Sequence, residues 1–212
     1  MQKFKIQKNK LNTGLACRQA GMTYVELIVV LGIFSVISTV VLFNQGEFQA
    51  KVNIKNLANE IALKIVEAQK SSVAGEWDSA AGSTWKPAYG LYFNTSTSTQ
   101  FIYFADVNTS NNNICDSVGC TPPYALNGEV RDIINITKGN TISSLQVFGS
   151  GCASPVSVTG LSIVFKRPNA SPTILSTPAS GCAISDVLIN VTSPQSVTGK
   201  VRVYSSGRIQ LN

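Results

Sequence analysis

The chain of 212 residues contains no histidine. That absence excludes Ser-His-Asp and Cys-His nucleophilic sites and every imidazole-based metal centre. Acids are scarce, eleven against 17 bases, and none precedes Gly21. From Leu27 through Phe43 there is neither a charge nor a proline. No Gly-rich phosphate loop follows a strand-like segment, and no pair of acids stands out as a general acid/base couple. The residues give no argument for catalysis, so neither an enzyme activity nor a cofactor is expected.

The net charge of +6 hints at nucleic acid until its distribution is read. Lys3, Lys5, Lys8, Lys10 and Arg18 all precede Gly21, and the remaining twelve bases nearly balance the eleven acids. The basic character belongs to the first twenty-one residues, where positive charge ahead of an apolar run holds that end in the cytoplasm. Nucleic acid is not expected as a partner.

The apolar run is the organising feature. Seventeen residues at about 1.5 Å each span most of a hydrocarbon core of about 30 Å. Ser35, Ser38 and Thr39 are tolerated in lipid because their hydroxyls return to carbonyls one turn back. Gly32 and Gly46 are points where the helix is expected to weaken. One acid, Glu26, stands just ahead of the run, where burying a charge costs up to about 2.5–3.5 kcal/mol at mid-bilayer and less near an end. Such a residue implies a task and an opposite charge.

Other targeting readings fit less well. After Phe43, Asn44-Gln45-Gly46-Glu47-Phe48-Gln49-Ala50 offers no small-x-small site at which a secretory signal is cut. Leu15-Ala16-Cys17 is faintly like a lipoprotein box, but no apolar segment precedes it. An ordinary uncleaved anchor explains the lysines and the run, and leaves Gly21 and Glu26 as coincidences.

Gly21-Met22-Thr23-Tyr24-Val25-Glu26 followed by an apolar helix resembles the processing signature of type IV prepilins and pseudopilins. Met22 replaces the family's commoner Phe. The resemblance implies that a prepilin peptidase cuts after Gly21, that the new amine of Met22 is methylated, and that Glu26 meets the amine of a neighbouring subunit. It implies a pilin-like α+β fold, a long N-terminal helix packed on an antiparallel β-sheet head. Its partners are then other pilin subunits, the peptidase, an inner-membrane assembly platform and, before assembly, the lipid bilayer. The expected product is a major or minor subunit of a type IV pilus. The alternatives are a pseudopilin of type II secretion and a tip subunit acting in adhesion or DNA uptake. The place is the cytoplasmic membrane, with the N-terminus inside and the head outside, and then an extracellular or periplasmic filament.

The organisation expected is a leader at 1–21, a transmembrane or filament-core helix at 22–45, an amphipathic helix at 46–74 and a β-rich head at 75–212. In the second helical part, Ala50, Ile54, Leu57, Ile61, Ile65 and Ala68 recur at three- and four-residue steps and predict one buried stripe. Glu60 and Lys64 have the spacing of an i,i+4 ion pair. Trp77 and Trp85 are expected to cover the seam between helix and sheet. Strands are predicted at 89–93, 100–105, 130–137, 142–148, 161–166, 186–191, 200–204 and 208–211, with hairpins closing the first and last pairs. Val201, Val203, Ile209 and Leu211 are expected to alternate inward in the last pair. That closing hairpin is similar to the end of the H-type pseudopilins and minor pilins.

Cys17 lies before the proposed cut. Cys115, Cys120, Cys152 and Cys182 form an even set in an exported context and predict two disulfides. Three pairings are open, of which local closure favours Cys115–Cys120 with Cys152–Cys182. A four-thiolate zinc site is the alternative, and the spacings lack a CxxC knuckle. Asp106-x-Asn108-x-Ser110-x-Asn112 places oxygens at alternate positions as calcium loops do. Asn111 stands where such a loop needs glycine and Ser117 where it needs glutamate, with Asp116 able to close a looser site. A polar turn is the simpler reading, so no metal site is assigned.

Overall fold

The computed structural model describes residues 22–81, 86–107, 112–116, 118–152 and 155–212. Helix α1 (Tyr24–Ala74) is followed by ten strands: β1 (Ala88–Asn94), β2 (Gln100–Asp106), β3 (Val130–Asn135), β4 (Thr141–Ser150), β5 (Val156–Val158), β6 (Gly160–Phe165), β7 (Pro172–Thr177), β8 (Ala183–Thr192), β9 (Thr198–Tyr204) and β10 (Ile209–Leu211). The architecture is α+β. The chain divides into two compact units, Met1–Phe43 and Asn44–Asn212, and α1 runs through Gly32 and Gly46 without interruption.

α1 starts and stops on local chemistry. Thr23 precedes it, accepting hydrogen bonds from Glu26 N–H on Oγ1 and from Leu27 N–H on its carbonyl. At the far end Gly75 takes φ 63°, Gly75 N–H donates to Ser72 O and Glu76 N–H to Ser71 O, both at 3.0 Å. These paired bonds around a left-handed glycine are a Schellman cap.

The strands form two antiparallel sheets, ordered β3-β2-β1-β6-β7 and β10-β9-β8-β4-β5. The single sheet implied by the resemblance is therefore two. One core joins both to the second half of α1. Ile54, Leu57, Ile61, Ile65 and Ala68 meet Leu91, Phe93 and Phe101 of the first sheet and Leu145, Val147, Val187, Ile189, Val201 and Val203 of the second. Ala50 is buried too, so every member of the predicted stripe faces inward. Lys64 does not turn to Glu60. It sits 3.1 Å from Glu67 and 3.2 Å from Asp132 of β3, tying helix to sheet.

The first sheet is covered on its other face as well. Ile102, Phe104, Val130 and Val164 pack there against Cys115 and Cys120, which the segment between β2 and β3 folds over them. Burial on both faces explains why β1 and β2 read as nearly continuous apolar runs. In the second sheet, the register of β4 against β8 shifts at Phe148/Gly149. A side chain at Gly149 would collide with the Ala183 carbonyl, so the strand narrows to glycine there.

Two strands, the three-residue β5 and the six-residue β7, fall outside the eight expected. β7 opens on Pro172 and is followed by Pro178, and an edge strand tolerates proline at its first residue. Leu211, expected to point inward, is exposed because β10 is the edge of its sheet. Trp77 is 57% exposed and does not seal a helix–sheet seam; Trp85 lies outside the described residues.

Candidate functional site

Of the processing residues, Gly21 lies outside the described residues, as does Cys17. Met22 precedes the helix and is exposed. Glu26 follows in the first turn, its side chain also exposed. Its backbone N–H donates to Thr23 Oγ1 at 3.3 Å. Thr-x-x-Glu is the spacing of a capping box, and an acid in the first turn is favoured by the helix dipole. Sequence reasoning missed this cap, although Thr23 and Glu26 stand three apart in plain view.

Behind Glu26 the helix is apolar on all sides. An eighteen-residue window has a mean hydropathy of 2.6, and none of that window is buried within the chain. Leu27, Ile28, Val29, Val30, Leu31, Ile33, Phe34, Val36, Ile37, Val40 and Val41 are all exposed. One helix near the N-terminus is thus long and apolar enough to cross a membrane. Thr39 Oγ1 donates to the Ser35 carbonyl at 2.8 Å, so its hydroxyl needs no water. Glu26 is the one charged side chain between Met22 and Gly46.

The four distal cysteines are joined as Cys115–Cys120 and Cys152–Cys182. Their sulfurs are bonded to each other, which leaves no thiolates for the zinc alternative. Both bridges tie down segments that link strands, Cys115–Cys120 between β2 and β3 and Cys152–Cys182 between the ends of β4 and β8.

Of the alternating oxygen motif, the structure describes Asp106 and Asn112. Asn108, Ser110, Asn111 and Ser117 lie outside the described residues. Asp106 is buried at the end of β2, with Oδ2 accepting from Asn113 N–H at 2.8 Å. Asn112 Oδ1 accepts from Ile114 N–H at 3.0 Å, and its Nδ2 donates to Asp116 Oδ2 at 2.7 Å. Asn112 is thus engaged in a turn of its own.

A second cluster gathers on the last hairpin. Arg202 donates to Asp186 Oδ2 at 2.6 Å and lies over the rings of Phe148 and Tyr204, while Arg208 lies over the other end of that array, 4.0 Å from the Tyr204 centroid. These contacts fasten β9 to β8 and hold β10 in place. Asp186 thus already balances the charge of Arg202.

No protein-family model, curated protein or solved structure matches the chain.

Proposed function

We propose that the chain is a prepilin-like subunit of a type IV pilus or of the related secretion pseudopilus, whose work is assembly. One observation carries this reading: the membrane-length apolar part of α1, uncovered among the described residues, has a single charge, Glu26, on the helix's first turn. A helix that exposes apolar side chains all round needs lipid or similar helices as its surroundings.

On this reading the peptidase removes residues 1–21 and the amine of Met22 is methylated. The apolar helices then pass from the bilayer into a bundle of like helices. Burial is retained in that transfer, so its cost is modest. In the bundle Glu26 meets the amine of the adjacent subunit. A buried charge that loses its partner costs about 3–5 kcal/mol, so only the axial register that joins the two is stable. The disulfide-bearing head is a structural and surface element, not a catalyst.

Mass spectrometry of the purified mature protein tests the proposal. The expected N-terminus is Met22 carrying one methyl group, with all four remaining cysteines oxidised. A mature protein that retains residues 1–21 would overturn it.

A further inference from the structure

The segment 107–128, between β2 and β3, stands on two acids. Asp106 ends β2 and Glu129 precedes β3, and Ala105 N–H donates to the Glu129 carbonyl at 2.9 Å. Each acid is 1% exposed. Each holds one backbone amide of the returning loop, Asn113 N–H on Asp106 Oδ2 and Asp116 N–H on Glu129 Oε2 at 2.9 Å. The side chains of Asp106 and Glu129 also lie within hydrogen-bonding reach of each other. Asp116 adds a further negative charge, and Lys166 is the opposing cation. Burial, the largest influence, pushes the Asp106 carboxyl above its ordinary range against the pull of the Asn113 amide.

Two enclosed oxygens, one on Asp106 and one on the Asn113 whose N–H it holds, receive no donor among the described residues. Asp106 Oδ1 and the amide Oδ1 of Asn113 are both shut off from solvent and accept no hydrogen bond. An enclosed polar atom without a partner is destabilising, and an enclosed carboxylate more so. A proton shared by the two acids relieves their repulsion but does nothing for the Asn113 amide oxygen. A hard cation answers all of these needs together, because calcium accepts carboxylate and amide oxygens in adaptable geometry at about 2.3–2.6 Å.

We infer that Asp106, Asn113 and Glu129 form the protein side of a calcium-type divalent-cation site at the foot of the 107–128 loop. Of the two described residues of the alternating sequence motif, Asp106 belongs to it and Asn112 does not. The Cys115 and Cys120 sulfurs lie within 4.8 Å of a Glu129 carboxylate oxygen. Joined to each other, they are not ligands. Their bridge instead holds the turn that brings Asn113 and Asp116 back to the two acids. The ion and the neighbouring disulfide fasten the loop together at its base. This inference is independent of filament assembly.

The test is calorimetric titration of CaCl2, with MgCl2 for comparison, into the full chain in detergent after stripping with EGTA. The expected result is one saturable site that binds Ca2+ about tenfold or more tighter than Mg2+ and raises the unfolding midpoint. Asp106→Asn and Glu129→Gln should each weaken binding about tenfold or more. Asn113→Asp, which adds a carboxylate, should strengthen it. No saturable Ca2+ binding by the unaltered chain overturns the proposal, as does binding unchanged in all three variants. Stability that follows pH across the carboxyl range and ignores CaCl2 overturns it in favour of a shared proton. If either weakening variant fails to fold, the unaltered chain and Asn113→Asp decide between these outcomes.

Discussion

Thr23 Oγ1 accepts a hydrogen bond from the backbone N–H of Glu26, so the one acid of the apolar helix also sits at the third position of that helix's cap. Cap and charge are separable. Thr23→Ala removes the cap, at about 1 kcal/mol of helix-start stability, and leaves the carboxylate. Glu26→Gln keeps a residue suited to a capping box and removes the charge. Under the assembly reading, Thr23→Ala still yields filaments, whereas Glu26→Gln and Glu26→Ala insert in the membrane and yield few. Immunoblots of sheared and membrane fractions measure both. Wild-type filament yield from Glu26→Gln would reduce Glu26 to a cap.

The stripe on the second half of α1 has a steep inside–outside contrast. Ile61 and Ile65 are fully buried, while Leu63 between them is largely exposed. Ile61→Ala or Ile65→Ala should lose about 2–5 kcal/mol in denaturant titrations of the full chain in detergent. Leu63→Ala should stay within about 0.5 kcal/mol. Lys64→Met, which breaks two partly solvated ion pairs, should cost no more than about 1 kcal/mol.

The two disulfides should contribute unequally. Cys152–Cys182 closes a separation of 30 residues and Cys115–Cys120 one of 5. Loop-closure entropy assigns about 3.5 kcal/mol to the longer and about 2 kcal/mol to the shorter. Replacing each pair by alanine and comparing unfolding midpoints checks the order.

Alkaline pH should unsettle the head through two tyrosines. Burial, more than any other influence, pushes Tyr103 and Tyr89 from the ordinary 10.0 up to about 12. The fold therefore keeps phenolic protons that the unfolded chain releases. Stability is intact below pH 10 and falls as pH rises from there toward about 12. In absorbance titrations near the foot of this window, denaturant should release phenolates that the folded protein withholds. Tyr103→Phe should shrink that increment.

Gly149→Ala tests the bulge between β4 and β8. Its Cβ would collide with the Ala183 backbone carbonyl, which cannot swing aside like a side chain. The expected loss is about 1–3 kcal/mol, read from the same denaturant titrations.

Much of the fold was legible because single faces are buried. Ala50 to Ala68 advertise one covered side at helical period, and Val201 and Val203 do the same at strand period. Pairing was less legible, since alternation along a strand does not name its neighbour. β1 pairs with β6 besides its sequence neighbour β2, and β4 with β8 besides its neighbour β5, so the second partner of each lies far away in sequence. That non-local choice separates one sheet into two. The apposition of Asp106 and Glu129 was hidden for the same reason, as β2–β3 pairing creates it. Trp77 erred differently: its indole suits a seam, but the chain leaves α1 at the Gly75 cap and holds it outward.

The margins of the two sheets carry a consequence for crowding. β5 and β10 are three residues each, β7 begins on proline, and β3 carries Arg131 and Asp132. Stubby, charged or proline-marked borders resist recruiting a stranger's backbone. Globules held shoulder to shoulder at high local density would therefore stay discrete instead of fusing into an endless ribbon.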